Sequence, residues 1–392
     1  MAKKDRMSGN EAVAYAMKQI DPDVMGAFPI TPSTEIPQYF AKYIADGLVH
    51  TEFVAVESEH SAMSTCIGAE AAGARAITAT SSAGLAYMYE LLYVASSSRL
   101  PVVMAVVNRA LTGPININND HSDSMGCRDA GWIQIYAENN QEVYDNYIQA
   151  MPIAEHCRLP IMICQDGFIT SHAVENIELI DDARVKDFVG EYDPEHYLLN
   201  EEEIYSVGPY GVSPYYMEIK KAQAEAMKSA PERIKEVGEA FGKMSGRGYG
   251  MIEEYRMDDA EYAVILIGSS AGTGKAAVDM LRADGVRAGL IKVRVFRPFP
   301  AEELAATLAG TKAVAVMDKA ESFSGHGGPL FAETRSALYE VEDRPYMMNY
   351  VYGLGGRDVT IETFDEVFED LKKVAATGDT GDGYRHIGVR EA

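Results

Sequence analysis

Apolar residues fall along this chain in two alternating rhythms. Short continuous runs at 24–28, 53–56, 76–80, 102–107 and 161–164 have the length of strands buried on both faces. Between them, 60–72, 84–95 and 141–156 carry the wider spacing of helices. Ser8-Gly9-Asn10-Glu11 has the form of a capping box opening an amphipathic helix. Thr31-Pro32-Ser33-Thr34-Glu35 supplies further helix-start signals, and Pro37 still falls near the first turn, where a missing amide costs little. Strands separated by helices predict an α/β fold with a parallel sheet covered on both faces.

From about 174 to 255 the rhythm breaks. Acidic clusters (Asp181-Asp182, Glu201-Glu202-Glu203) mix with tyrosines and with the turn Gly208-Pro209-Tyr210-Gly211, and 217–237 reads as a charged helix. This excursion is expected to wrap the first domain or a partner subunit. A second α/β unit follows, with strands at 262–267, 288–293, 313–317 and 346–351 and helices at 274–283, 302–308, 329–338 and 364–374. The expected domains are therefore 1–255 and 256–375, with a tail, 376–392, mobile or packed on a neighbour. No internal repeat of fixed period is present.

Composition narrows the class. The chain has 392 residues, 47% of them hydrophobic, enough for two or three cores. No apolar run has membrane-spanning length. The opening Met1-Ala2-Lys3-Lys4-Asp5-Arg6 lacks an apolar signal region, so a cytoplasmic location is expected. A net charge of −24 argues against nucleic acid as a partner, because phosphate binding needs a basic face. The four cysteines, Cys66, Cys127, Cys157 and Cys164, form no CxxC pair. They suit neither an iron–sulfur cluster nor a structural zinc and read as free buried thiols, and no metal site is expected on this chain.

Glycine motifs offer two misleading signals. Gly268-Ser269-Ser270-Ala271-Gly272-Thr273-Gly274-Lys275 imitates a phosphate loop but is one residue too long, and Ala276 stands where a magnesium-binding hydroxyl belongs. Gly272-Thr273-Gly274 with Ala277 imitates a dinucleotide fingerprint. A tight strand-to-helix turn accounts for both. Gly381-Asp382-Gly383 imitates a magnesium-diphosphate motif but follows no predicted strand.

Glu59 lies between a strand pattern and a helix rich in small residues, at the kind of edge where open α/β sheets place ligands. Spacing alone makes it a helix cap or first-turn carboxylate. Arg109 alone reads as a surface ion-pair partner, and Thr31 as a helix cap. The polar segment 112–123 reads as a loop after a strand end, suited to closing over a substrate.

Seven segments, in order, carry a resemblance. They are Phe28-Pro29-Ile30-Thr31-Pro32-Ser33, Glu57-Ser58-Glu59-His60-Ser61-Ala62, Ala79-Thr80-Ser81-Ser82-Ala83-Gly84-Leu85, Asn108-Arg109-Ala110-Leu111 with Asp120-His121-Ser122-Asp123, Arg128-Asp129-Ala130-Gly131-Trp132, Asp166-Gly167-Phe168 and Arg297-Pro298-Phe299-Pro300. With them the chain resembles the alpha subunit of pyruvate:ferredoxin oxidoreductases and their 2-oxoacid relatives, over nearly its whole length. The resemblance implies a thiamine-diphosphate pyrimidine-binding domain followed by a transketolase C-terminal-like domain. It implies that Glu59 hydrogen-bonds N1′ of the aminopyrimidine, with Pro29 and Ser82 beside the cofactor. A carboxyl group held out of bulk water can share its proton with that ring and so activate the thiazolium carbon. Arg109 and Thr31 would meet the 2-oxoacid carboxylate, the guanidinium fork through two parallel hydrogen bonds. Asp120, His121 and Asp123 are weaker candidates on the loop.

The implied reaction is oxidative decarboxylation of pyruvate to acetyl-coenzyme A and carbon dioxide, with electrons passed to ferredoxin. Partner subunits of beta, gamma and delta type would supply the diphosphate half of the cofactor site, Mg2+ and [4Fe-4S] clusters, and coenzyme A would be a co-substrate. Phe28, Asn118 and Ala83 stand where relatives often carry tyrosine, tryptophan and glutamine, which bears on the choice of 2-oxoacid rather than on the reaction type. Branched-chain or aromatic 2-oxoacids are the alternative substrates, and a nucleotide-binding module built on Gly268–Lys275 is the alternative function.

Overall fold

The computed structural model describes residues 3–208 and 210–390, so the expectations touching Met1, Ala2, Pro209 and the last two residues lie outside it. The five predicted apolar runs become strands of a seven-stranded sheet, which Ile133–Tyr136 and Val295–Arg297, both unpredicted, complete in the order Val295–Arg297, Ile133–Tyr136, Ile161–Asp166, Val103–Asn108, Ala76–Thr80, Val24–Ala27, Glu52–Ala55. All neighbours run parallel except the first pair. Val103–Asn108, Ile161–Asp166 and Ala76–Thr80 are buried at every position, as expected of parallel strands covered by helices on both sides. The loop after Val24–Ala27 leads to the edge strand, whereas the loop after Ala76–Thr80 leads the other way. That divergence opens a crevice at the carboxyl ends of the strands, the usual ligand position in open α/β sheets.

The second sheet has six strands, ordered Tyr384–His386, Tyr346–Val351, Ala313–Asp318, Tyr262–Leu266, Ala288–Val293, Ile252–Tyr255. The two units exchange strands across the expected boundary. Ile252–Tyr255 pairs antiparallel with Ala288–Val293, and Val295–Arg297 crosses back to join the first sheet. A core shared by both units, with Met63, Leu92 and Trp132 against Ile265, Phe296 and Leu330, fuses them.

Three expectations are corrected. The tail is an ordered part of the fold: Tyr384–His386 is a parallel strand on Tyr346–Val351, held by Glu321, which accepts from Tyr384 and His386. Gly381-Asp382-Gly383 is the turn before that strand. The helix expected over 84–95 is two, Ser82–Tyr87 and Tyr89–Ser97, separated at Met88. Much of the excursion is regular. Val174–Leu179 pairs antiparallel with Lys3–Ser8, and Ser213–Ser245 is a helix of 33 residues that buries Ala230, Ile234, Val237 and Phe241 at helical spacing against Asn140–Cys157.

The phosphate-loop imitation is a turn, as expected. Gly268 has φ +78°, and a Cβ there would lie 2.9 Å from Asp166 Oδ1. An anionic ligand would meet that carboxylate. Lys275, the lysine of the motif, is spent on Glu138 (2.7 Å) and Glu253 (2.6 Å). Gly274 lets its helix close on the sheet, since a Cβ would sit 2.6 Å from Leu290 Cδ1. The nucleotide-binding alternative therefore has neither its cradle nor its cation. All four cysteines are buried and free.

Asp166 joins the units. Its Oδ1 bonds His121 Nε2 at 2.7 Å, and its Oδ2 accepts from Lys319 Nζ at 2.7 Å, from Ser269 N at 3.1 Å and from the Ser269 hydroxyl. Burial raises the energy of the carboxylate, but the Lys319 and His121 charges outweigh it and hold the carboxyl well below its ordinary range. Removing one partner of a buried pair leaves the other uncompensated. Lys319→Met is expected to cost about 3–5 kcal/mol of unfolding free energy at neutral pH, read by denaturant unfolding. Because the folded carboxyl titrates below the unfolded one, the wild-type contribution is complete above about pH 4 and is lost as pH falls below it. The gap between variant and wild type should therefore close in acid.

Candidate functional site

Glu59 is the first residue of the helix Glu59–Ala72, yet it is not the cap. Ser58 fills that role, its hydroxyl accepting from Ser61 N at 3.1 Å. The Glu59 side chain is thereby released from helix-end duty. It is 8% exposed, and its carboxylate receives no hydrogen bond or ion pair among the described residues. Its oxygens are not sealed from solvent, so a ligand can reach them and supply the donor that the described residues do not. The cap half of the expectation for Glu59 fails, while the first-turn half holds, since Glu59 is the acidic residue of the first turn of this helix.

Gly84, in the helix that follows Ala76–Thr80, makes room beside it. A Cβ on Gly84 would lie 2.7 Å from Glu59 Oε1 and 2.6 Å from Thr80 Oγ1. The Thr80 hydroxyl is itself buried without a hydrogen-bond partner. Two polar groups lacking partners therefore flank one bare Cα at the carboxyl end of a central strand. Neither Thr80 nor Gly84 was singled out from the sequence, although both lie in the segment that yielded Ser82. The signal was there: a strand ending in threonine, with a glycine one helical turn on.

Arg109 and Thr31 do come together. Arg109 Nη1 donates to the Thr31 carbonyl at 2.8 Å, and Nε donates to the Asn116 carbonyl at 3.2 Å. Arg109 is 7% exposed, and Nη2 donates to no group among the described residues. Nε and Nη1 are thus anchored, and Nη2 is left to meet a carboxylate ligand. Thr31 and Pro29 are exposed on the loop after Val24–Ala27, at the same end of the sheet.

The remaining candidates are consumed within the chain. Ser82, at φ +45°, donates its amide to Asp123 Oδ2 (3.0 Å) and its hydroxyl to the Ala110 carbonyl (2.6 Å). Asp123 also accepts from Asn108 Nδ2 (2.8 Å), Arg109 N (3.0 Å) and Ser124 N (2.7 Å). Burial pushes its carboxyl up to about 6 against the pull of those donors. It staples two strand ends, Ser82 and Arg109, and has little capacity left for a substrate. Asp120 caps its own turn, accepting from Ser122 N at 2.9 Å, and His121 is bound to Asp166. Away from this end, Glu138, Glu142 and Glu253 cluster closely enough for a cation, but Lys292 and Lys275 already occupy them.

The parallel sheet places a carboxylate without a donor and a guanidinium with a free nitrogen at its carboxyl end, where open α/β sheets take ligands, and the sequence match gives the class as thiamine-diphosphate-binding. Residues 15–239 match the family model of the pyruvate flavodoxin/ferredoxin oxidoreductase thiamine diphosphate-binding domain, and residues 260–364 match pyruvate:ferredoxin oxidoreductase core domain II. The chain belongs to the pyruvate flavodoxin/ferredoxin oxidoreductase family. It is 52% identical to pyruvate synthase subunit PorA of Thermotoga maritima over 388 residues, covering 98% of each chain. It is 45% identical to ketoisovalerate oxidoreductase subunit VorA of Pyrococcus horikoshii over 376 residues, covering 96% of this chain and 95% of that one. A 2-oxoglutarate:ferredoxin oxidoreductase from Magnetococcus marinus shares the fold with a TM-score of 0.74 at 20% identity, over 94% of this chain and 65% of that one. A split-gene transketolase aligns with a TM-score of 0.54 at 12% identity, over 94% of this chain and 96% of that one. No helix among the described residues is long and apolar enough to cross a membrane.

The residues at the crevice fit an aminopyrimidine. Glu59 offers an acceptor or shared proton, and Gly84 offers clearance. Gly84→Ala should force Glu59 or Thr80 aside. We expect a fall of at least tenfold in thiamine diphosphate affinity, measured by calorimetry on the assembled complex, with about 1–3 kcal/mol lost from subunit stability.

Proposed function

We propose that this chain is the alpha-type catalytic subunit of a 2-oxoacid:ferredoxin oxidoreductase that decarboxylates pyruvate oxidatively to acetyl-coenzyme A and carbon dioxide. The observation that carries the reading is the Glu59 carboxylate, buried and without a donor over the bare Cα of Gly84. Bound thiamine diphosphate supplies a nucleophilic carbon and an electron sink for the decarboxylation. Glu59 hydrogen-bonds the pyrimidine N1′, which supplies the donor that its carboxylate lacks among the described residues. Arg109 turns its free Nη2 to the 2-oxoacid carboxylate, beside the exposed Thr31 whose carbonyl holds Nη1. The Thr31 and Asn116 carbonyls keep the guanidinium from swinging away when the site is empty.

This chain would form one half of the catalytic site. The only Gly-Asp-Gly sequence in it, at 381–383, is a turn on the far unit and precedes a strand. The magnesium and diphosphate ligands, the [4Fe-4S] clusters and the ferredoxin contact would then belong to beta, gamma and delta-type partners, with coenzyme A as acyl acceptor. Pyruvate is preferred over a branched-chain 2-oxoacid on the 52% identity to the Thermotoga maritima subunit alone; the other pyruvate synthase subunits, at 43–44%, stand no nearer than the ketoisovalerate oxidoreductase subunits, at 44–45%.

Glu59→Gln in the reconstituted complex should lower kcat by about 10²–10⁴ while thiamine diphosphate still binds. Full turnover by that variant would overturn the role of Glu59. In the same complex, pyruvate should give the highest kcat/KM in a panel containing 2-oxoisovalerate and an aromatic 2-oxoacid. A bulkier 2-oxoacid reacting while pyruvate stays inert would move the substrate assignment and leave the reaction type standing.

A further inference from the structure

We propose that Asn116 and the glycine turn Gly353–Gly356 of the second unit are positioning residues for Arg109, so that the second domain takes part in binding the 2-oxoacid carboxylate. The inference rests on the carboxylate-binding reading of Arg109.

The loop from Arg109 to His121 has little burial to hold its outer part. Residues 112–115 are exposed, as are Ile117 and Asn118, with Ile115 at 72% and Ile117 at 45%. Loops with so few apolar contacts are ordinarily mobile. Polar bonds to the second unit replace the missing core. Asn116 Nδ2 donates to the Gly355 carbonyl at 3.1 Å, and Gly355 N returns a bond to Asp120 Oδ2 at 3.3 Å. Gly356 N donates to the Asn119 carbonyl at 2.7 Å, and His121 N donates to the Lys319 carbonyl at 2.8 Å. Asn116 closes its own turn by accepting from Asn118 N at 2.7 Å.

Asn116 is the link that matters for chemistry. Its side chain is tied to the second unit, and its backbone carbonyl receives Arg109 Nε at 3.2 Å. The guanidinium is therefore aimed by two carbonyls, that of Thr31 from the first unit and that of Asn116, which the second unit holds in place. The turn is shaped for this contact. Gly355 and Gly356 have φ +61° and +79°, and a Cβ on them would lie 2.4 Å from Asn116 Nδ2 and 2.6 Å from Asn118 Cβ. A turn serving only to reverse the chain would need the positive φ but not the bare surface facing this loop.

The test compares Asn116→Ala, Gly355→Ala, the double variant and Arg109→Lys in the assembled holoenzyme. The 2-oxoacid and coenzyme A are varied separately, and thermal unfolding is recorded for each variant. Asn116→Ala removes the amide but keeps the carbonyl that Arg109 uses. Each of Asn116→Ala and Gly355→Ala should raise KM for the 2-oxoacid on the order of tenfold, the effect of losing one orienting hydrogen bond. KM for coenzyme A should stay unchanged, and kcat should change less than the 2-oxoacid KM. Because both substitutions break the same link, the double variant should be no worse than the more affected single one.

An unchanged 2-oxoacid KM in Asn116→Ala, additive effects in the double variant, or an equal rise in both KM values would overturn the proposal. Should Gly355→Ala fail to fold, Asn116→Ala decides alone. Arg109→Lys separates the two layers of the argument. If it raises the 2-oxoacid KM while Asn116→Ala does not, only the positioning role falls. If Arg109→Lys leaves that KM unchanged, the carboxylate-binding reading falls and takes this one with it.

Discussion

The buried Asp166 carboxylate is the constraint on which the rest of the molecule depends. It ends a central strand, Ile161–Asp166, at the same sheet end as the crevice. Its partners come from three places: His121 at the foot of the substrate loop, Ser269 in the first turn of the second unit, and Lys319 at the end of Ala313–Asp318. An unpaired charge at that depth would cost several kcal/mol, so these three segments cannot drift apart independently. One carboxylate therefore fixes the docking of the two units and the lower end of the loop that follows Arg109. The shared core supplies area and cohesion, while Asp166 supplies register.

Much of the architecture was legible in the sequence, because a strand buried on both faces must be a continuous apolar run. Val103–Asn108 and Ala76–Thr80 are of that kind, and the sequence reading found both. The last strand of the second sheet escaped for the opposite reason. Tyr384–His386 is polar and short, at the sheet edge, and what holds it is Glu321, 63 and 65 positions away. The interruption at Met88 was hidden too, since the residues on both sides have the composition of one helix.

The candidate site divides along the same line. Glu59 and Arg109 were found because a family pattern surrounds them. Their environment was not legible, because it is made of contacts between distant segments. Ser58 rather than Glu59 caps the helix, a distinction of one residue that spacing cannot draw. Asp123 and His121 belong to the pattern as fully as Arg109 does, yet both face inward and serve the frame. Motif membership marks residues that a site needs. Whether a residue touches the ligand or holds one that does is decided by where its donors and acceptors end, and only coordinates carry that.

Glycine carries a related lesson. A glycine-rich turn at a strand end suggests a phosphate, because bare Cα atoms and exposed amides suit an anion. In this chain the space is taken by the protein's own polar groups. The Asp166 carboxylate stands against Gly268, the Glu59 carboxylate and the Thr80 hydroxyl against Gly84, and the Asn116 amide against Gly355. In each case a Cβ would fall 2.4–2.9 Å from that group, closer than a side chain permits. The three differ in what the approaching group does next. Asp166 has its full set of donors and is structural. Asn116 passes its constraint on through its own backbone. The Glu59 carboxylate and the Thr80 hydroxyl arrive with no partner among the described residues, and that sets Gly84 apart from the motif that looks most like a phosphate loop.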